Sequence, residues 1–314
     1  MRAIQFTAVN QIEVREVPEP VPASGEVLVR IRAAALNHRD LWIKLGQYAG
    51  LQFPCTPGSD GVGEVCAVGP GVDAETAARW MGRRVVINPA FDWGSDPVAV
   101  PVDQLAEAPA HLSDDEAAAL PLAGLTAWRA VMTRGAVRRG DKVLISGVGG
   151  GAAVAALQFA VAAGAKTWVT SSSAEKIDRA RALGAEAGFD YTRSDWVEAA
   201  RAAVPGGFDV IIDSAGGEGF EKLIDLAAAG GRLVFFGATR GNPPVLPMRK
   251  VFWRQLSLLG TTMGSPDDWR AMLETVSRHR IRPVVGHGFA FAQAASAFDL
   301  MEQGSQFGKI VVRP

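Results

Sequence analysis

A short apolar run, Val143-Leu144-Ile145, passes directly into a glycine cluster and then into a stretch of small and apolar residues, Ala152–Ala163, interrupted only by Gln158. Strand, glycine turn, helix is the context that a dinucleotide fingerprint requires. Gly147 permits a tight turn off the strand, and Gly149 leaves room for a pyrophosphate against the backbone. Gly150 and Gly151 extend the same turn. Ala152 occupies the third fingerprint position, where a small side chain lets helix and strand approach closely. The start of the helix then offers unpaired N–H groups and a partial positive charge to phosphates. A bare Gly-x-Gly-x-x-Gly/Ala also describes an ordinary turn; the flanking strand and helix give this one its weight.

The pattern continues downstream. Apolar segments at Lys142–Ile145, Thr167–Thr170, Ala187–Asp190, Asp209–Ile212, Leu233–Phe236 and Leu256–Leu259 read as strands. Helical segments lie between most of them, at Ala152–Ala163, Ala174–Leu183, Trp196–Val204 and Gly219–Ala229. Near-continuous apolar strands alternating with helices predict a parallel sheet covered on both faces. Six strands make a doubly wound Rossmann domain, which the sequence places at 116–262. Its start is marked by Ser113 and Glu116, a capping box, with Ala117–Leu120 continuing as helix.

Residues 1–115 read differently. Glu26–Arg32, Gly61–Val68 and Arg83–Ile87 have strand character, and proline and glycine interrupt often. Many short strands with such punctuation predict a barrel-like antiparallel domain. Past Thr261, Ser265-Pro266-Asp267-Asp268 starts a helix, with a cap, a proline at the first position, then acids. Phe291–Met301 is a further helix and Lys309–Val312 a last strand. This tail, 263–314, is assigned to the first domain, giving two domains with a cleft between. The fold class is therefore α/β, and 314 residues suffice for it.

Composition removes several classes of function. Charged residues make up 21% and the net charge is −1, so no basic surface points to nucleic acid or an anionic membrane. The longest apolar run is too short to span a bilayer, and the N-terminus has no signal pattern. Cys55 and Cys66 are the only cysteines, too few for a disulfide framework or a four-cysteine zinc site. The expectation is a cytoplasmic protein acting on a small molecule.

Several stretches together carry a family resemblance. They are Ala34-Ala35-Leu36-Asn37-His38-Arg39-Asp40, Gly46-Gln47-Tyr48, Pro57-Gly58-Ser59-Asp60-Gly61-Val62-Gly63-Glu64-Val65 and Ala123-Gly124-Leu125-Thr126-Ala127. The Gly147 turn follows, then Asp213-Ser214-Ala215-Gly216, Gly231–Gly237 and Gly308-Lys309-Ile310-Val311. In these the chain resembles the medium-chain dehydrogenase/reductase superfamily, in its zinc-free, quinone-oxidoreductase-like branch. The resemblance implies a GroES-like β-rich domain beside the Rossmann domain. It also implies that a zinc-binding cysteine of other relatives is replaced by Asn37, and their Gly-His-Glu by Gly58-Ser59-Asp60. The four-cysteine structural lobe is missing, and Asn88–Pro101 is shortened even against zinc-free relatives. His38, His111, His279 and His287 show no ligand spacing, although His38 could approach Asp60 in the fold. No metal site is assigned.

The end of the second strand of the parallel sheet bears on the coenzyme. An NAD enzyme places an acid there for the ribose 2′-OH. This chain instead has Ser171-Ser172-Ser173, followed by Lys176 and Arg179. Hydroxyls and a cation suit a 2′-phosphate that an acid would repel, so NADPH is expected, with Ser171, Ser172 and Lys176 as contacts. The other reading, a serine that caps the next helix and a solvated lysine, is compatible with it. The resemblance places Tyr191 beside the adenosine phosphate, a half-buried core tyrosine being the alternative. It places Thr126, in a Gly-Leu-Thr-Ala turn, on the nicotinamide side, and Gly237 and Ala238 at the nicotinamide ribose. Lys309 either closes the far side of the site or is a surface lysine in an edge strand.

Without zinc, negative charge developing on a hydride acceptor needs hydrogen-bond donors. Asn37 and Tyr48 are the candidates, with His38 or a water as substitutes; Asn37 could equally stabilise a turn. Asp40 is read as organising local backbone, Asp60 as ordering Asn37 or a water, and Arg39 as a solvated charge or salt-bridge partner. Conjugated acceptors spread the charge, so the expected reaction is NADPH-dependent reduction of a quinone, enone or enal. The alternatives are an enoyl-thioester reductase, a metal-free alcohol dehydrogenase, or a non-catalytic NADPH-binding sensor or scaffold. Trp42, Phe53, Trp93, Phe252, Trp253 and Met263 are candidate pocket residues. The segment Gln255–Thr262, an apolar sheet edge, needs a partner or a cover and predicts a homodimer.

Overall fold

The computed structural model describes residues 1–48, 50–88 and 97–314. Strands β1 (Arg2–Ala8) and β2 (Gln11–Glu16) form an antiparallel hairpin. β3 (Glu26–Ala35) leads through Asn37 into helix α1 (His38–Lys44). Then come β4 (Gly61–Val68), α2 (Ala74–Trp80), β5 (Arg84–Ile87), β6 (Pro97–Pro101) and β7 (Leu105–Glu107). Helices α3 (Asp114–Ala118) and α4 (Pro121–Trp128) follow, the second running into a π-helical segment, Arg129–Arg134.

The alternating part begins with β8 (Lys142–Ile145), α5 (Gly151–Ala162), β9 (Lys166–Ser171) and α6 (Ala174–Ala182). It continues with β10 (Ala187–Asp190), α7 (Trp196–Ala203), β11 (Phe208–Asp213) and α8 (Phe220–Leu226). β12 (Ala227–Phe235), α9 (Met248–Trp253) and β13 (Ser257–Gly260) complete it. The tail holds α10 (Pro266–Arg278), β14 (Val285–Ala290), α11 (Ala294–Gln303) and β15 (Lys309–Arg313).

The chain divides into one unit of Met1–Ala123 with Val276–Pro314 and a second of Gly124–Thr275. In the first unit the main sheet has the order β14-β15-β3-β4-β5-β7, with β6 also paired to β3. Apart from the parallel β14–β15 pair its pairings are antiparallel. β3 is central because three strands pair with it. Val27, Val29, Ile31 and Ala34 from β3 join Val85, Val100, Ile310 and Val312 in the core. Phe6 and Phe298 meet there edge to face, 5.3 Å between centroids.

The second unit has a six-stranded parallel sheet ordered β10-β9-β8-β11-β12-β13. β8 starts both halves, so the order reverses between β8 and β11; in open α/β sheets ligands bind at that point, beyond the strands' carboxyl ends. Val143, Leu144, Ile145, Val210, Ile211 and Leu233 are fully shielded from solvent. Burying each such side chain stabilises by about 1.5–3 kcal/mol. α5 packs with Ala153, Ala156, Leu157 and Ala160 turned inward.

Three local expectations need correction. Ala123–Ala127 is helical, not a turn, because Pro121 opens α4 and Ala123, Leu125 and Ala127 are all buried; packing overrides the weak helix preference of Gly124. α8 stops at Leu226 and Ala227 is already extended, φ −68° and ψ 143°, since it pairs with Phe208 in the sheet. The segment from Phe291 opens as a 3-10 turn before α11. The Ser113 capping box is present, Ser113 Oγ accepting from Glu116 N at 3.3 Å and Glu116 accepting from Ser113 N at 2.8 Å. No described helix is long and apolar enough to cross a membrane.

Candidate coenzyme cradle and active site

In the second unit, β8 delivers the glycine turn to the switch point. Gly147 has φ 63° and Gly149 φ 153°, backbone angles that a side-chain-bearing residue rarely adopts. Thr170 on β9 secures the turn. Its hydroxyl accepts from Gly147 N at 3.0 Å and its carbonyl from Val148 N at 2.7 Å. Gly150 caps α5 with extended backbone and no side chain, so the first N–H groups of a twelve-residue helix face outward uncapped by any side chain. A Cβ built on Gly149 would lie 3.1 Å from Lys176 Cδ and 3.4 Å from its Nζ. The lysine therefore lies over the turn. Ala152 is half-exposed; the buried small residue of that turn of helix is Ala153.

At the tip of β9, Ser171 is buried and Ser172 exposed. Ser171 Oγ accepts from Ser173 N at 3.3 Å, and Ser173 Oγ caps α6 by accepting from Lys176 N at 3.3 Å. The capping role read for these serines is thus real for Ser173. Lys176 is half-buried, and burial pulls its ammonium below the usual lysine range, with Arg179 adding to the fall and Glu175 opposing it. Tyr191 N donates to Ser171 O at 3.1 Å, which sets Tyr191 beside the serines. Arg240 covers the Tyr191 ring, 5.0 Å from its centroid.

Asp213, at the end of β11, is 2% exposed. It accepts a hydrogen bond from Ser146 Oγ, at the end of β8, and another from Gly216 N at 2.9 Å. Gly237 follows β12, and a Cβ there would lie 2.8 Å from Ser214 O. Ala238 is exposed next to it. Thr126 is 7% exposed within α4. Sequence reasoning gives Asp213, Ser146 and Arg240 no role of their own. A buried acid ending a parallel strand opposite a serine ending its neighbour is a signal that only strand order supplies.

The first unit gathers the other candidates. Asn37 ends the β3 segment at the N-cap of α1. Its Nδ2 donates to Asp60 Oδ2 at 3.0 Å and to Ala35 O at 3.4 Å, and its Oδ1 accepts from Lys309 Nζ at 2.6 Å. Lys309 Nζ also donates to Asp60 Oδ2 at 2.8 Å, and Leu122 N to Asp60 Oδ1 at 2.7 Å. Asn37, Asp60 and Lys309 are 6%, 0% and 5% exposed. The image of Lys309 as a surface lysine on an edge strand is overturned, since β15 lies between β14 and β3. The oxygens of Asp60 hold Asn37, Lys309 and Leu122 N, whereas His38 is exposed, 6.4 Å from the Trp42 ring.

Asp40 is fully buried. It accepts from Asn37 N at 2.8 Å and Gly58 N at 3.2 Å, which makes it the organiser of local backbone that the sequence suggested. Burial pushes its carboxyl up to about 6; the hydrogen bond from Asn37 and the charge of Lys309 pull the other way. Arg39 is half-buried rather than a solvated charge: it donates to Ser59 Oγ at 2.8 Å and lies 5.3 Å from the Tyr48 ring centroid. Tyr48 is 38% exposed. Phe252 and Trp253, 63% and 82% exposed on α9, are open to solvent rather than lining a pocket. Trp93 lies outside the described residues, as does most of the shortened segment after Asn88.

A zinc ion does not fit the Asn37–Asp60 cluster. Its donors are an amide, a hydroxyl at Ser59 and one carboxylate, and an ammonium already neutralises that carboxylate at 2.8 Å. A nicotinamide dinucleotide does fit the second unit, where the glycine turn supplies a side-chain-free approach to a helix N-terminus.

Comparison with known proteins agrees with this arrangement. The family described as "Alcohol dehydrogenase GroES-like domain" matches residues 23–109, and that described as "Zinc-binding dehydrogenase" matches residues 151–278. The chain is 35% identical to the zinc-type alcohol dehydrogenase-like protein YogA of Leptosphaeria maculans, over 96% of this chain and 94% of that protein. The solved structure of an NAD-dependent alcohol dehydrogenase superposes with a TM-score of 0.94 and 37% identity, covering 100% of both chains. The quinone oxidoreductase of Thermus thermophilus, solved alone and with NADPH, gives a TM-score of 0.84 and 33% identity, again over 100% of both. The fold and these likenesses define an oxidoreductase of the dehydrogenase class. The chain belongs to the medium-chain dehydrogenase/reductase superfamily and, within it, to the zinc-free, quinone-oxidoreductase-like branch.

Proposed function

We propose that this chain is a cytoplasmic, NADPH-dependent, metal-independent reductase of quinones or conjugated enones and enals. The observation that carries this reading is the ammonium of Lys309, bonded to Asp60 and to Asn37, the residue that by the resemblance replaces a zinc-binding cysteine of other relatives. A cation built into the protein there leaves no charge for a metal to neutralise. A bound nicotinamide supplies the hydride. The protein's part is to hold the acceptor and to steady the charge that grows on it.

The amide hydrogens of Asn37 are engaged by Asp60 and Ala35, so Asn37 orients rather than donates freely. Lys309 has three N–H groups and uses two within the cluster. The Tyr48 hydroxyl, partly exposed under Arg39, is the other donor. Such modest donors suit a conjugated acceptor, whose charge is delocalised, better than a plain ketone.

For the coenzyme, hydroxyls and Lys176 at the β9 tip favour a 2′-phosphate. The carboxylate of Asp190 on the neighbouring strand is turned into its own loop, accepting from Thr192 N at 2.9 Å and Thr192 Oγ1 at 2.7 Å. The NAD-dependent relative supports the contrary preference, so both coenzymes belong in the test. Cys55 and Cys66, neither of them in a disulfide, suit a reducing compartment. Among the described residues β13 ends the parallel sheet with one side unpaired, which supports a homodimer formed across it.

The deciding experiment follows NADPH and NADH consumption over quinones, enones, enals, enoyl thioesters and simple alcohols, with metal analysis of the same sample and a chelator control. Rapid NADPH turnover with quinones or enones, unaffected by chelator, is expected. Chelator-sensitive turnover confined to simple alcohols would overturn the reading.

A further inference from the structure

We infer that Arg240 is a specificity residue of this chain, the cation that grips the 2′-phosphate of the coenzyme from the far side of the sheet. The inference rests on the NADPH reading above and deepens it.

Arg240 belongs to the loop after β12, yet it covers a residue that ends β10. In the sheet these strands are separated by β11, β8 and β9. At about 4.8 Å per strand that is roughly 19 Å of crest. The loop thus arches above the carboxyl ends of the strands on which a dinucleotide lies. It is firmly built. Thr239 N donates to Ser214 O at 3.3 Å, Arg240 N to Ala215 O at 2.9 Å, and Gly217 N to Gly241 O at 2.8 Å. A Cβ on Gly216 would sit 2.6 Å from Gly241 O, and one on Gly217 2.9 Å from Arg240 O. Glycines at both positions let the two loops press together and fix where the arginine starts.

The guanidinium itself is lightly held. Its contacts are the Tyr191 ring at 5.0 Å and one long hydrogen bond, Nη2 to Tyr191 Oη at 3.3 Å. Among the described residues no carboxylate lies within salt-bridge distance of it. An exposed cation–π contact is worth about 0.5–1 kcal/mol, little against a bidentate, charge-assisted pair with phosphate. Tyr191 is bonded through its backbone to Ser171, and Ser171 begins the serine run where a 2′-phosphate is expected. Arg240, from the loop after β12, and Lys176, from the first turn of α6, thus both neighbour that serine run. The planar fork of arginine reads a phosphate's paired oxygens, which a ribose hydroxyl lacks.

The test measures equilibrium binding of NADPH, NADH, 2′,5′-ADP and 5′-AMP to the full chain and to Arg240→Gln, by calorimetry and nicotinamide fluorescence. Tyr191→Phe is a second variant that keeps the ring beneath the arginine, and thermal melting checks folding. In Arg240→Gln, NADPH and 2′,5′-ADP are expected to weaken by about tenfold to hundredfold, with NADH and 5′-AMP changed less than twofold. Tyr191→Phe is expected to keep the preference for the phosphorylated ligands. Unchanged binding of all four ligands in Arg240→Gln overturns the inference and leaves the NADPH reading standing. Equal weakening of all four also overturns it, because Arg240 would then serve a part common to both coenzymes. A parent protein that binds 5′-AMP as tightly as 2′,5′-ADP defeats the NADPH reading itself.

Discussion

Lys309 Nζ sits 2.8 Å from Asp60 Oδ2, and both side chains are sealed from water. β15 supplies the cation and the segment before β4 supplies the anion, so the pair joins the end of the chain to residues near its start. Leu122 N and the Asn37 amide satisfy what the pair leaves open on the carboxylate.

Lys309→Met should therefore be costly. It strands a buried carboxylate, a loss of about 3–5 kcal/mol. The double variant Lys309→Met/Asp60→Leu should recover most of that, since it removes the unpaired charge. Urea unfolding of the two variants, compared by their midpoints, checks the difference. Equal destabilisation of both would contradict a dominant role for the buried charge.

Asp40 gives the first unit a definite pH dependence. Its carboxyl is raised to about 6 from the ordinary 3.8. Between those values the unfolded chain releases the proton while the native protein keeps it. The native state then binds more protons, so stability falls as pH rises through that window, by about 3 kcal/mol in all. Asp40→Asn removes this titration. The difference in unfolding free energy between the parent and Asp40→Asn should shift in favour of the variant as pH is raised from about 4 to about 7.

An acid placed at the tip of β9 should move coenzyme preference toward NADH. Ser172 is exposed there, and Ser172→Asp would repel a 2′-phosphate while offering an acceptor to a ribose hydroxyl. The ratio of NADPH to NADH dissociation constants should move at least tenfold toward NADH, with thermal stability unchanged.

Asp268 anchors the start of α10. It accepts from Arg129 Nη1 at 2.7 Å, from Thr133 Oγ1, and from Ser265 N at 2.9 Å. Asp268→Ala leaves these donors without their acceptor and should destabilise by about 2–4 kcal/mol. Calorimetric melting gives the measurement, with Asp268→Asn expected to lose less.

The parallel sheet is legible in the sequence because its signal is local. Lys142–Ile145 and Ala187–Asp190 have the bounds read from the sequence, and the glycine turn lies where strand gives way to helix. What escapes is non-local. Lys309 is 249 residues from Asp60, and no periodicity reports that β15 inserts between β14 and β3 rather than lying at an edge. Arg240 is likewise 49 residues from Tyr191. Its loop reads as an ordinary glycine-rich connection until strand order shows which strands it crosses. Ala123–Ala127 misleads for a different reason, a glycine among helix formers whose burial outweighs its backbone freedom.

The hydrogen bond from Ser146 to Asp213 joins β8 to β11 where the sheet's two halves diverge. A clasp of this kind ties the two strand ends together at the point where the order of the sheet reverses. A guest that settles against a seat fixed in this way loses less of its binding energy to ordering the protein.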